Sequence, residues 1–217
     1  MKSKYSFQSM EQYFTSIVRN IEITRKDEAL KVAGRLLQNK VIYQEIEAST
    51  KIPWYLIASI HSKECSARMD RYLGNGQRLD QVTTIVPKGR GPFKSFAEGA
   101  IDALRTQEHL VRSIDISDGW SMAECLWFAM RYNGTGYNAR GMNSPYVFCG
   151  TSAYTRGGYP RDGHFDPNHV VKNIGVYPLM WGIKQIQGFL NEEDRENFVA
   201  MTAEEKPELF EGTEYES

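Results

Sequence analysis

The run Ile52-Pro53-Trp54-Tyr55-Leu56-Ile57-Ala58-Ser59-Ile60 constrains this chain more than any other stretch. It carries no charge and is far too short to cross a bilayer, so it must be buried inside the protein. Pro53 has the fixed φ of a first helical turn and lacks an N–H that would go unbonded there, which predicts a helix that opens at Pro53, after Thr50, and runs to about Cys65. The rest of the fold has to be built around this apolar helix. Between Ser9 and Ser49, Tyr13, Ile17, Ile21, Leu30, Ala33, Leu37, Val41 and Ile46 recur at helical intervals, which predicts amphipathic helices. Further helices are expected at Phe96 to Leu110, at Ser121 to Arg131 behind a Ser121/Glu124 capping box, and from Tyr177 to Leu190 with Pro178 in the first turn. The Phe96 and Ser121 helices are expected to pack on the central one. A chain of 217 residues with 41% hydrophobic residues is long and apolar enough for one well-buried core, which excludes disorder and fibrous architecture as its main theme.

Two segments break the helical pattern. Asn75-Gly76 within Tyr72 to Leu79 is a hairpin signal, because a tight turn needs residues that tolerate positive φ. Thr83 to Phe93 reads as a loop, and Tyr132 to Phe165 has no period and reads as a surface loop or an irregular binding wall. The expected class is α+β, mainly α, with a small antiparallel hairpin-based sheet beside the central helix. Residues 1–190 form one domain, and 191–217 an acidic tail with ten acids and two bases, a net charge of −8. The other 190 residues carry 24 bases and 17 acids, a net of +7, which suits a body that meets an anionic polymer. Cys65, Cys125 and Cys149 are too few and too scattered for a disulfide framework and are expected to be reduced and mostly buried.

Glu64, in His61-Ser62-Lys63-Glu64-Cys65-Ser66, stands where the most apolar helix gives way to a polar hairpin. Partial burial raises a carboxyl pKa, and a carboxylic acid retained near neutral pH can protonate the leaving oxygen of a glycosidic bond. The plainer reading is a salt bridge to Arg68 one turn on. Two motifs favour the first. Ile52 to Ala58 leading into Glu64-Cys65-Ser66 is similar to the catalytic helix of the lysozyme superfamily, especially its goose-type lysozyme and soluble lytic transglycosylase branch. Arg131-Tyr132-Asn133-Gly134-Thr135-Gly136-Tyr137 resembles that branch's Tyr-Asn-Ala-Gly-x-Gly turn. His61/Glu64, Leu73/Asn75/Gly76 and Val86/Pro87/Gly89 also resemble blocks of single-domain muralytic enzymes of phages and bacteria, and the resemblance spans roughly residues 30 to 190.

The resemblance implies a lysozyme-like fold and a muramidase, a bacteriolytic glycoside hydrolase that cleaves the N-acetylmuramic acid–N-acetylglucosamine β-1,4 bond of peptidoglycan in cell wall degradation. Glu64 is then the general acid. His61, Ser66, Asn75, Tyr132, Asn133, Tyr137 and Tyr146 are the candidate substrate contacts, with Tyr154 and Tyr159 as further exposed tyrosines. An inverting hydrolase needs a second group to hold water, for which Asp70, Asp80, Thr83 and Thr84 are available; Asp80 is preferred and Thr84 is the next choice. If none of them faces Glu64, a lytic transglycosylase that forms anhydro-muramic ends is the better account. A non-catalytic glycan-binding module is the remaining alternative. Cys65 stands where this family usually has Ser, and the Gly-x-x-Gly-Leu-Met-Gln block of lytic transglycosylases is absent.

Arg68, Arg71, Arg78, Lys88, Arg90 and Lys94 make the hairpin region basic, which suits the lactyl-peptide carboxylates of peptidoglycan. Other classes fit less well. A metal hydrolase using His61, Glu64, His164 and His169 lacks a regular ligand spacing, and a cysteine amidase would place Cys65 at a helix C-terminus, where the dipole opposes a thiolate. No metal or cofactor is expected. Nucleic-acid binding has no fingerprint, and Gly89-Arg90-Gly91-Pro92 lacks the residues of a phosphate loop. A monomer without a membrane span is expected. The N-terminus has no apolar stretch behind its basic start, so the expected setting is an endolysin made in the cytoplasm and released to the wall by another protein, or an exported enzyme whose signal has been trimmed.

Overall fold

The computed structural model describes residues 4–161 and 163–188. The fold is α+β and mainly α: ten helices among the described residues and one small antiparallel sheet. The expected acidic tail at 191–217 and the last two residues of the expected final helix lie outside the described residues.

Three helices, α1 (Phe7–Asn20), α2 (Lys26–Leu37) and α3 (Lys40–Thr50), fill the amphipathic first fifty residues. They lead into α4 (Trp54–Cys65), which has Pro53 immediately before it, its carbonyl accepting from the Leu56 and Ile57 amides at 2.9 and 3.0 Å. Burial of α4 follows from its composition: Leu56, Ile57, Ala58 and Ile60 have no exposed surface. The expected helix from Phe96 to Leu110 is broken at Thr106-Gln107 into α5 (Phe96–Arg105) and α6 (Glu108–Val111). Next comes α7 (Met122–Asn133), where the capping box is present in both directions, Glu124 N–H to Ser121 Oγ and Ser121 N–H to Glu124 Oε2. Two single-turn helices follow, α8 (Gly136–Ala139) and α9 (Pro145–Phe148), and α10 (Val176–Gly188) ends the described chain.

Packing departs from the expected arrangement in one respect. α5 lies along α3 and meets α4 through Phe96, whose ring stacks 4.0 Å from His61, while α7 packs chiefly on α1. α2 and α10 form the most extensive helix pair, and α4 sits between α3 and α10. A Cβ at Gly182 would lie 2.8 Å from the Ala29 carbonyl oxygen and 3.0 Å from Ala33 Cβ, so only glycine allows the close approach of α10 to α2.

The sheet is not where the Asn-Gly signal placed it. β1 (Gly158–Arg161) pairs antiparallel with β2 (His164–Asp166), within the segment that had no sequence period. Tyr159 and Phe165 pack edge-on around Tyr137 of α8, with ring centroids 5.1 to 6.5 Å apart, so tertiary aromatic contacts rather than alternation support these short strands. Tyr72 to Gln77 does make a tight turn, with Gly76 at φ +72° and the Tyr72 amide donating to the Gln77 carbonyl at 2.7 Å, but only the Arg71–Arg78 bridge extends it. All three cysteines are unpaired and buried, and no helix among the described residues is long and apolar enough to cross a membrane.

Candidate active site

Glu64 lies in the last turn of α4 and opens into a cavity of about 380 Å³. Tyr72 and Gly74 of the hairpin turn form one wall with Pro87. Ala103, Thr106 and Gln107, at the break between α5 and α6, form another, and Tyr132 and Asn133 close the site from the C-terminus of α7. Glu64 keeps solvent access through the mouth, yet protein surrounds enough of its carboxyl that burial raises its pKa above the ordinary carboxylate value. Two contacts oppose that rise. Tyr146 donates its phenolic hydrogen to Glu64 Oε1 at 2.7 Å, and the neighbouring Lys63 ammonium favours the carboxylate. Tyr146 is half-buried, and desolvation of its phenol together with the Glu64 charge raises its pKa well above normal, so it keeps its hydrogen and stays a donor.

The tyrosine network is anchored on both sides. Asn133 Nδ2 donates to Ser144 Oγ at 3.2 Å, tying the end of α7 to the start of α9, where Tyr146 sits. Tyr132 is half-buried with a desolvated phenol, and the Glu64 charge pushes its pKa up further. Tyr72 donates to Asp102 Oδ2 at 2.8 Å, and Asp102 accepts from Arg90. Burial and Asp102 together push the Tyr72 phenol up to about 12.

The other candidate residues are dispersed. Asp80 is exposed and accepts from Arg78 at 2.9 and 2.6 Å, which holds its pKa low; it does not line the cavity. Asp70 is held in the same way by Arg68. Thr84 accepts from Gln77 Nε2 at 2.9 Å outside the cavity, and Thr83 is buried, its hydroxyl donating to the Pro87 carbonyl. Asn75 serves the turn: its Nδ2 donates to the Ile85 carbonyl at 3.1 Å and its Oδ1 accepts from the Gln77 amide.

His61 is corrected as a substrate contact. It has no exposed surface; Nε2 meets the Arg68 carbonyl at 3.1 Å and must donate, so Nδ1 accepts from Tyr43 Oη at 2.9 Å. Burial lowers its pKa to about 4. Tyr137 is likewise corrected from an exposed to a buried residue, enclosed by the two aromatic side chains of the sheet. Ser66 borders a different cavity. The basic charge of the hairpin region is largely consumed locally: Arg68 and Arg71 meet Asp70, Arg78 meets Asp80, and Arg90 meets Asp102.

Tyr72, Pro87, Thr106 and Gln107 are cavity residues that sequence reasoning missed. Gln107 carried no signal, because the helical periodicity runs through the break. No group of three or more His, Cys, Asp or Glu able to hold a metal occurs among the described residues. Burial pushes the Cys65 thiol up to about 12, which disfavours it as a nucleophile. The site can therefore perform proton transfer from one carboxyl group to a ligand bound among phenol, hydroxyl and amide groups. No protein-family model, curated protein or solved structure matches the chain.

Proposed function

We propose that the chain is a glycosidase of the lysozyme superfamily type that cleaves peptidoglycan between N-acetylmuramic acid and N-acetylglucosamine, with Glu64 as general acid. The observation that carries this reading is a partly desolvated carboxyl group, alone of its kind in the lining of an open cavity whose other walls are tyrosine, asparagine, glutamine and threonine side chains with Gly74, Pro87 and Ala103. Tyrosine and amide side chains offer both apolar surface and hydrogen bonds, as a sugar's alternating CH and OH groups require.

In the first step Glu64 donates its proton to the bridging oxygen, the C1–O bond breaks, and the N-acetylglucosamine alcohol leaves. Positive charge then develops at C1 of the muramic acid residue. Asp80 and Thr84 lie outside the cavity, which favours the route that needs no second protein group. In that route the Glu64 carboxylate takes the proton of the substrate's own C6 hydroxyl as its oxygen attacks C1, leaving a 1,6-anhydro end and regenerating the acid. Tyr146 positions the carboxylate, and Tyr132 and Asn133 bear on the sugar.

Mass spectrometry of soluble fragments from purified peptidoglycan tests the reading. Wild type is expected to release fragments ending in anhydro-muramic acid, and Glu64→Gln to release about 10²- to 10⁴-fold less of them. Glu64-dependent fragments heavier by one water would make the enzyme a hydrolase, and no Glu64-dependent fragments from several wall types would overturn the glycosidase reading.

A further inference from the structure

The last turn of α4 borders a second cavity, of about 440 Å³, that shares no lining residue with the Glu64 site. Its charged side chains are Glu28, Arg35 and Lys63. Glu28 is already engaged by Arg25. Arg35, exposed at the groove's rim in the last turn of α2, has no hydrogen bond or ion pair among the described residues, although Glu28 lies on the same helix. Lys63 donates to the Ile174 and Asn173 carbonyls at 3.0 and 3.2 Å, neutral acceptors that use two of its three hydrogens. Burial pulls its pKa down, and the neighbouring Glu64 carboxylate offsets that only in part.

The rest of the polar lining converges in the same sense. The side chains of Asn39, Ser62, Ser66 and Asn173 border the cavity and hydrogen-bond to no described residue. Ser66 and Ala67, both at this rim, adopt consecutive left-handed conformations at φ +52° and +56°, which side-chain-bearing residues disfavour. The groove thus presents an exposed guanidinium without an ion pair and a half-buried ammonium that donates to neutral carbonyls, with hydroxyl and amide groups around them, in a volume suited to a small molecule.

We propose that this cavity is a second ligand site that takes a small oxyanion, with the Arg35 guanidinium and Lys63 ammonium meeting the charge and Ser62, Ser66, Asn39 and Asn173 bonding the rest of the ligand. The inference is independent of the glycosidase reading. It is tested by calorimetric titration of the full chain with two probes, N-acetylalanine for a carboxylate and inorganic phosphate for a phosphoryl group.

Saturable one-site binding of at least one probe is expected, and the tighter probe identifies the anion class. Arg35→Gln is expected to weaken binding by about tenfold or more without moving the melting temperature, since Arg35 makes no described polar contact. Arg78→Gln, which disturbs only the pair with Asp80, is expected to bind as wild type does. Binding is also expected to persist in Glu64→Gln whatever becomes of wall cleavage. Absence of saturable binding for both probes, or equal affinity in wild type and Arg35→Gln, would overturn the proposal.

Discussion

Tyr146 donates a hydrogen bond to Glu64 Oε1 across 2.7 Å, joining residues 82 positions apart in the chain. The bond occupies one carboxyl oxygen and leaves Oε2 to carry the exchangeable proton. It also favours the ionised form, in opposition to the burial that disfavours it. The balance between these two effects sets the pH range in which Glu64 can act as an acid.

Tyr146→Phe removes the contact and keeps the ring. Glu64 then loses a stabiliser of its carboxylate, its pKa rises further, and the acid form persists to higher pH. The alkaline limb of kcat/KM against pH is expected to move upward by about one unit. A profile unchanged from wild type would show that Tyr146 does not tune Glu64.

Glu64→Gln and Asp80→Asn separate the roles of the two acids. The first is expected to lower peptidoglycan cleavage by about 10²- to 10⁴-fold, the contribution of a positioned proton donor. Asp80 is exposed and bound to Arg78 outside the cavity, so Asp80→Asn is expected to remain within about threefold of wild type. Turbidity clearance of wall suspensions measures both, and a large loss in Asp80→Asn would restore it as a water-orienting base.

His61 makes stability depend on acidity. Its pKa falls from 6.5 to about 4 on folding, so the native state refuses a proton that the unfolded chain accepts. The contribution is complete above pH 6.5 and is lost as pH falls toward 4, a total of about 3 kcal/mol. Urea midpoints are expected to decline through this window, with a shallower dependence in His61→Gln.

Gly182→Ala tests the contact of α10 with α2. The added methyl would lie 2.8 Å from the Ala29 carbonyl oxygen, closer than a Cβ atom tolerates, and only 3.0 Å from Ala33 Cβ. A destabilisation of about 1 to 3 kcal/mol is expected from overpacking, read as a lower melting temperature. An unchanged melting temperature would mean that the two helices separate at little cost.

Elements whose signals are local can be read from the chain alone. The apolar stretch behind Pro53 specifies α4, apolar residues at three- to five-residue intervals mark the first three helices, and Ser121 with Glu124 marks the start of α7. Glu64 was legible because it stands at the polar end of a helix that has to be buried. Tyr132, Asn133 and Tyr146 are candidates through the family resemblance, but the arrangement around Glu64 depends on long-range packing. Tyr146, Gln107 and Pro87 reach the site from separate elements, and no periodicity within a window of one element records such neighbours. His61 shows the same limit: one turn before Glu64 it reads as a site residue, yet the rotation of α4 carries it to Tyr43 and Phe96 in the core. The strands at 158–166 are likewise set by aromatic packing on Tyr137 instead of by an alternating pattern of their own. Hydrophobic periodicity marks where helices form, yet Tyr13 and Val41 of the expected apolar set are exposed, because which face is covered and which groups meet across it depend on how distant segments pack.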